Sequence, residues 1–172
     1  MSIAPTARRP GSLASPKCGL VDTGPAGGEG INRIWDVLQD AFVFAERERR
    51  HPKQRLFFTN SSQSQKAGLA FLDRLSQPFA QPGRPIKNRS IESQVKAFVE
   101  WGRSADPYTA KISALTLIVS GDRDEVIPLS NAVALAGRIP LAQLAAYPDA
   151  SHGAIFQYTR LFVDQAKSFL NA

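Results

Sequence analysis

One stretch of the sequence decides the fold, and it reads Leu-Thr-Leu-Ile-Val-Ser-Gly-Asp-Arg-Asp-Glu-Val-Ile-Pro from Leu115 to Pro128. Its first five residues form a nearly continuous apolar run that is bounded by Ser and Gly. Such a run is too short for a helix and predicts a β-strand buried on both faces. Asp122 and Asp124 follow this strand at its carboxyl end, where open parallel sheets place their ligands.

A histidine follows the next predicted strand in the same way. Residues 144–153 read Leu-Ala-Ala-Tyr-Pro-Asp-Ala-Ser-His-Gly, so that His152 comes five residues after a weaker strand at 144–147. Residues 131–138 between the two strands predict a short helix. This β-α-β order predicts parallel strands joined by a right-handed crossover. The carboxylate after the first strand and the imidazole after the second are therefore expected at one sheet edge.

The sequence upstream of the first strand has a helical pattern. Apolar positions in 31–50 recur at i, i+3, i+4 and i+7, which predicts an amphipathic helix that Pro52 ends. A second helix is expected from 60–62 to just before Pro78, a third over 91–103, and a closing helix over 156–170. The chain is thus divided into an irregular or disordered segment at 1–19, a strand end with a glycine-rich loop at 20–30, an all-helical section at 31–104, and a β-α-β-α segment at 105–172.

Composition is that of a globular protein, with 172 residues of which 43% are hydrophobic and 21% charged. Its single cysteine, Cys18, excludes an internal disulfide and a zinc site made of cysteines, and it favours a reducing compartment. The sequence has neither a secretory signal nor an apolar run long enough to cross a bilayer. We therefore expect a cytoplasmic protein without membrane contact.

The formal net charge of +6 raises the question of nucleic acid. Many of the cations lie in the mixed run at 46–55, which alternates Glu with Arg and Lys. No aromatic stacking platform is interleaved with these charges, so a solvated helix end is favoured over a nucleic-acid surface. A basic interaction module that uses this run remains an alternative.

Metal and phosphate sites are not predicted. The acidic patch of Asp122, Asp124, Glu125 and Asp149 lacks the D-x-D-x-D-G spacing of a calcium loop. The glycine-rich loop at 24–30 lacks the Lys-Ser/Thr of a P-loop and the order of a dinucleotide-binding fingerprint. We expect no cofactor.

The two stretches together resemble the C-terminal end of the α/β-hydrolase family, in which nucleophile, acid and histidine follow in this chain order. The resemblance implies that Asp124, four residues before Pro128, is the acid of a catalytic triad and that His152 is its histidine. It implies that Asp122 is a turn residue, that 31–104 form a lid, and that the substrate is a small molecule. The implied fold is a partial α/β-hydrolase fold of two to three parallel strands with flanking helices and a helical lid section.

The nucleophile of the family is missing, because no G-x-S-x-G turn occurs in the 172 residues. Ser120, Ser130 and Ser151 lie near the acid and histidine, but none is flanked by glycines as that turn requires, and Cys18 has no base nearby in the sequence. The resemblance therefore predicts a truncated or mis-started chain that is inactive in ester or related hydrolysis by itself. The alternative is a binding or complementing fragment, whose open sheet edge pairs with the missing N-terminal half or with a second copy.

Overall fold

A parallel three-stranded sheet forms the centre of the chain. The computed structural model describes residues 16–77, 86–106 and 109–172. Strands β1 (Lys17–Val21), β2 (Leu115–Gly121) and β3 (Ala142–Tyr147) lie in the order β1-β2-β3, and β2 pairs in parallel with both neighbours. This confirms the predicted parallel sheet with flanking helices, and β2 is the buried central strand.

The first strand begins earlier than the sequence indicates. Lys17 pairs with Leu115, and the backbone N–H of Leu115 donates to the carbonyl of Pro16 at 3.1 Å. Residues 17–19 are therefore part of a strand and not of an irregular segment. Pairing with the buried β2 imposes the extended conformation here, and local sequence alone does not reveal such a neighbour. The rest of the predicted irregular segment, 1–15, lies outside the described residues.

Seven α-helices and two short 3-10 turns surround the sheet in the described part of the chain, and the sequence missed the helix at Pro52. Pro52 occupies the first helical position, where its missing N–H costs nothing, and His51 caps the helix by accepting from the N–H of Lys53 at 3.1 Å. The helices are α1 (Ile34–Glu48), α2 (Pro52–Phe57), α3 (Ser62–Ser76), α4 (Asn88–Arg103), α5 (Leu129–Arg138), α6 (Ala154–Gln157) and α7 (Thr159–Asn171), and the 3-10 turns are Ile31–Arg33 and Thr109–Lys111.

The predicted closing helix is interrupted. It begins at Ala154 and breaks at Tyr158, where the backbone leaves helical geometry before α7 starts at Thr159. The Tyr158 hydroxyl donates to the carbonyl of Pro148 at 2.8 Å, which fixes the break against the end of β3. The loop that carries His152 is thereby followed at once by a short helix instead of a flexible linker.

Side chains from both faces of the sheet form the core. Alternate residues of β2 point to opposite faces, which explains the nearly continuous apolar run. Leu117 and Val119 pack with Tyr147 and residues of α6 and α7, whereas Ile118 packs with Ala132, Leu135 and Ile139 beneath α5. A third cluster of Ile31, Ile34, Val126 and Ile127 joins the helical section to the loop after β2.

Within the described residues, none of the helices combines the length and apolar character that crossing a membrane requires.

Candidate active site

Asp124 and His152 meet at the carboxyl end of the sheet. Asp124 lies in the loop after β2 and His152 in the loop after β3, and Nδ1 of His152 lies 2.9 Å from Oδ2 of Asp124. The side chain of Asp124 is fully buried, whereas that of His152 is 25% exposed. The parallel register of β2 and β3 thus brings together two groups that are 28 residues apart in the sequence.

Both oxygens of Asp124 are used. Oδ1 accepts from the backbone N–H groups of Val126 at 2.8 Å and Ile127 at 2.9 Å, while Oδ2 contacts His152. The family resemblance had implied two different residues for these roles, with Asp124 as the triad acid and Asp122 as the turn residue. Asp122 is exposed, and Asp124 makes the side-chain hydrogen bonds of the turn. A short Asx-type turn therefore holds the carboxylate rigidly against the imidazole.

The loop that bears His152 is fastened to the helical section. The N–H of Gly153 donates to the carbonyl of Phe57 at 2.9 Å, and the hydroxyl of Ser151 donates to the carbonyl of Leu56 at 3.0 Å. Hydroxyls of the turn between α2 and α3 donate to the carboxylate of Asp149. Thr59 Oγ1 donates to Oδ1 at 2.7 Å, and Ser61 Oγ donates to Oδ2. We call these contacts between residues 56–61 and 149–153 the clasp.

The surroundings of His152 raise its pKa. Burial lowers the pKa of His152, but the hydrogen bond and charge of Asp124, followed by the charge of Asp22, outweigh it and raise the pKa above the usual 6.5. The pKa of Asp149 in the clasp is lowered instead, because its carboxylate accepts hydrogen bonds from Ser61 and Thr59. Each of these shifts follows from contacts between residues that are distant in sequence.

Asp22 is a site residue that the sequence reasoning missed. It follows β1 as Asp124 follows β2, so the same rule about carboxyl ends of parallel strands would have found it. Its Oδ1 is buried without a hydrogen-bond partner, and its backbone has a left-handed φ of 44°. Burial raises the pKa of Asp22 to about 7, against the charge of His152, which lowers it.

Asp22 and His152 line one cleft of about 220 Å³. The helical section, the end of β1 with the residues after it, and the loop after β2 supply the walls of this cleft. The main apolar lining residues are Ile31, Ile34, Phe98, Trp101, Val126 and Ile127. A cleft of this kind, with few polar groups among apolar walls, is typical of a small-molecule site.

Replacing Asp22 by Asn is expected to stabilise the folded chain at pH 8 by about 1–2 kcal/mol. The carboxyl titrates near 3.8 when unfolded and near 7 when folded, so the folded chain holds more protons between these values. Its contribution to stability is therefore fully present below pH 3.8 and is lost as pH rises through 7. Urea unfolding at pH 5 and pH 8 measures the effect. A gain in the variant that is no larger at pH 8 than at pH 5 would contradict this prediction.

The rejected nucleophile candidates are engaged elsewhere. The hydroxyl of Ser151 is part of the clasp, that of Ser130 donates to Oε2 of Glu29 at 2.6 Å, and that of Ser120 is buried with its contact to the Gly121 carbonyl at 3.3 Å. Cys18 is a free, partly buried thiol inside β1. None of these four is hydrogen-bonded to His152 in the described part of the chain.

Several side chains of the basic run and of the acidic patch have protein partners in the fold. Arg47 contacts Glu48, Arg50 donates to Gln65, and Arg55 donates to Glu125 at 2.6 Å, so three arginines of the run have protein partners. In the acidic patch, Glu125 binds Arg55 and Asp149 belongs to the clasp. Among residues 16–77, 86–106 and 109–172, no group of three or more His, Cys, Asp or Glu side chains is arranged to hold a metal ion.

Solved structures with the same fold have been determined. An α/β-hydrolase fold protein from Chitinophaga pinensis is 30% identical to this chain, with a TM-score of 0.82, and the match covers 91% of this chain and 56% of that protein. A meta-cleavage product hydrolase from Pseudomonas fluorescens IP01 is 20% identical, with a TM-score of 0.57 and coverage of 91% and 56%. A thermophilic esterase from Thermogutta terrifontis is 18% identical, with a TM-score of 0.54 and coverage of 90% and 55%.

The chain belongs to the α/β-hydrolase fold family, with the partial fold that its sequence predicted. It spans a little over half the length of the structures that it matches. No protein-family model matches the sequence, and no curated protein sequence does.

Proposed function

We propose that Asp124 and His152 are the acid and the general base of a hydrolytic triad whose nucleophile lies on a segment outside these 172 residues. The observation that carries the proposal is the 2.9 Å contact between Nδ1 of His152 and the buried Oδ2 of Asp124. A carboxylate in this place fixes the imidazole tautomer with the proton on Nδ1, which leaves Nε2 free to accept a proton. The reaction class is hydrolysis of an ester or a related bond.

In this reaction His152 takes the proton of the nucleophilic hydroxyl as that oxygen attacks the substrate carbonyl. The imidazolium that results is stabilised by Asp124, which stays ionised. The raised pKa of His152 fits this step because it reflects the same stabilisation. His152 then returns the proton to the leaving group, and a water molecule completes the hydrolysis by the same route.

The helical section is proposed as the lid over the substrate. Ile31, Ile34, Phe98 and Trp101 from this section line the cleft beside His152. Such walls suit the apolar part of a small substrate. The chain by itself is proposed to be inactive, because loss of the nucleophile alone costs orders of magnitude in rate.

Reconstitution tests this proposal without knowledge of the substrate. The part of the Chitinophaga pinensis protein that this chain does not match would be expressed separately, mixed with this chain, and treated with a fluorophosphonate probe that labels activated serines. Labelling of the added segment only in the mixture is expected, with loss of labelling when His152 is replaced by Ala.

The controls separate failed assembly from a wrong assignment. The C. pinensis protein's own matching segment serves as the positive control in the same mixture, and co-elution on gel filtration reports assembly. If the positive control is labelled and this chain assembles equally well without labelling, the triad assignment is wrong. Labelling of this chain alone would overturn the proposed inactivity.

Assembly through the sheet edge is a second candidate function, for a binding or complementing fragment. Within the described residues β1 pairs with β2 alone, so one edge of β1 presents unpaired backbone groups. Such an edge is a template for pairing with another strand, either from a nucleophile-bearing segment or from a second copy of the chain. Gel filtration of the isolated chain over a concentration series distinguishes a stable monomer from self-association.

A further inference from the structure

We propose that Asp22 is a positioning residue of this site, a second carboxyl group that shares the cleft with His152 and holds its imidazolium form together with Asp124. The inference builds on the proposed role of His152 as a base. Its test reads the histidine directly, however, and needs neither a nucleophile nor a substrate.

Backbone pairing fixes Asp22 beside the other two groups. The N–H of Asp22 donates to the carbonyl of Val119 at 2.9 Å, which ties the end of β1 to the end of β2. Asp124 follows β2, and Asp22 and His152 line the same cleft. Three titratable side chains from the ends of three neighbouring strands are thus placed together.

Two features of Asp22, the burial of its carboxylate and its backbone conformation, are unfavourable for folding. One carboxylate oxygen is buried without a partner, and the backbone φ of 44° lies in the left-handed region that residues other than glycine seldom adopt. Buried polar atoms are nearly always hydrogen-bonded, and exceptions concentrate at functional sites. Packing alone does not account for a carboxyl group here, whereas an interaction with the charged form of His152 does.

The electrostatic surroundings agree with this role. The charged groups that act on Asp22 are His152 and Asp124, and those that act on His152 are Asp124 and Asp22. The other residues around the cleft are mostly apolar, so charges interact across it more strongly than in water. Asp22 and His152 therefore each favour the charged form of the other.

An NMR titration of the two histidines tests the proposal. The sequence has only His51 and His152, and a His51→Gln variant assigns their Cε1–H signals. Replacing Asp22 by Asn is expected to lower the pKa of His152 by about 0.5 unit or more. Asp122→Asn is the matched control, since it removes the same charge from an exposed position two residues before Asp124. It is expected to move the pKa of His152 by less than ~0.2 unit.

Equal shifts in the two variants, or no shift with Asp22→Asn, would overturn the proposal. An unchanged pKa of His51 serves as the sign that the fold is intact. A measurement on the unmodified chain covers the case in which Asp22→Asn does not fold. The carboxyl carbon of Asp22 should titrate near 7, and a simple titration near 3.8 would refute the proposal. Failure of the reconstitution described above leaves this outcome unaffected.

Discussion

Replacing Asp124 by Asn is expected to lower the pKa of His152 from above 6.5 to below it. The substitution removes the hydrogen-bonded negative charge at Nδ1, so the effect of burial on the imidazole prevails. The amide nitrogen of Asn would also face Nδ1 as a donor, which favours the tautomer with the proton on Nε2. A histidine in that tautomer cannot accept a proton at Nε2, so labelling in the reconstituted mixture should slow by about 10³–10⁴-fold.

The same NMR titration measures the first part of this prediction. Asn keeps an oxygen for the N–H groups of Val126 and Ile127, so the turn after β2 should survive and the fold should be retained. The titration of His152 sets the direction and the pH range of the effect on folding stability. Its pairing with Asp124 stabilises the fold fully below 6.5, and this contribution disappears as pH rises through the raised pKa. A variant in which His152 still titrates above 6.5 would contradict the assignment of Asp124 as its partner.

Replacing Gly121 by Ala is expected to destabilise the fold by about 2–4 kcal/mol. A Cβ atom at this last residue of β2 would lie 2.2 Å from the carbonyl oxygen of Ala150 and 2.5 Å from that of Ser151. Both are backbone atoms of the loop that bears His152, and they cannot move aside as a side-chain end could. The loop must shift, and the contact between His152 and Asp124 should lengthen with it.

Chemical denaturation of Gly121→Ala and of a control variant checks this prediction. Gly137 is the matched control because a Cβ there meets nothing within 4 Å and its position in α5 favours Ala. Gly137→Ala should leave the free energy of unfolding unchanged or raise it by up to ~1 kcal/mol. A Gly121→Ala variant as stable as the unmodified chain, with the pKa of His152 preserved, would show that the loop crosses β2 at a greater distance.

Patterns that repeat along the backbone made much of the fold predictable. The apolar run of β2 reflects burial that the sequence records directly, and spaced apolar residues were enough to predict helices at α1, α3 and α4. The contact between Asp124 and His152 was predictable too, because parallel strands bring their carboxyl ends to one edge. The reason for a glycine at position 121 is steric, and it was not predictable, because it depends on how closely the loop that bears His152 passes the end of β2.

Features that depend on a neighbour were not predictable. The start of β1 at Lys17 is set by its pairing with β2, and the short helix α2 begins at a proline that reads as a terminator. Asp22 was passed over because its strand is short and its partners lie about 100 residues or more further along the chain. The clasp likewise joins Thr59 and Ser61 to Asp149, about 90 positions further along the chain, and no local pattern in the sequence predicts these contacts.

The clasp also restricts how a molecule can travel to the histidine. Because α2 and the turn after it are bonded to the loop of His152, this corner cannot swing outward without carrying the imidazole away from Asp124. We therefore expect a ligand to reach the cleft past residues that the clasp does not hold. Phe98 and Trp101 of α4 line the cleft and are 47% and 44% exposed to solvent, so we expect the entrance beside them. Entry there would leave the contact between His152 and Asp124 undisturbed.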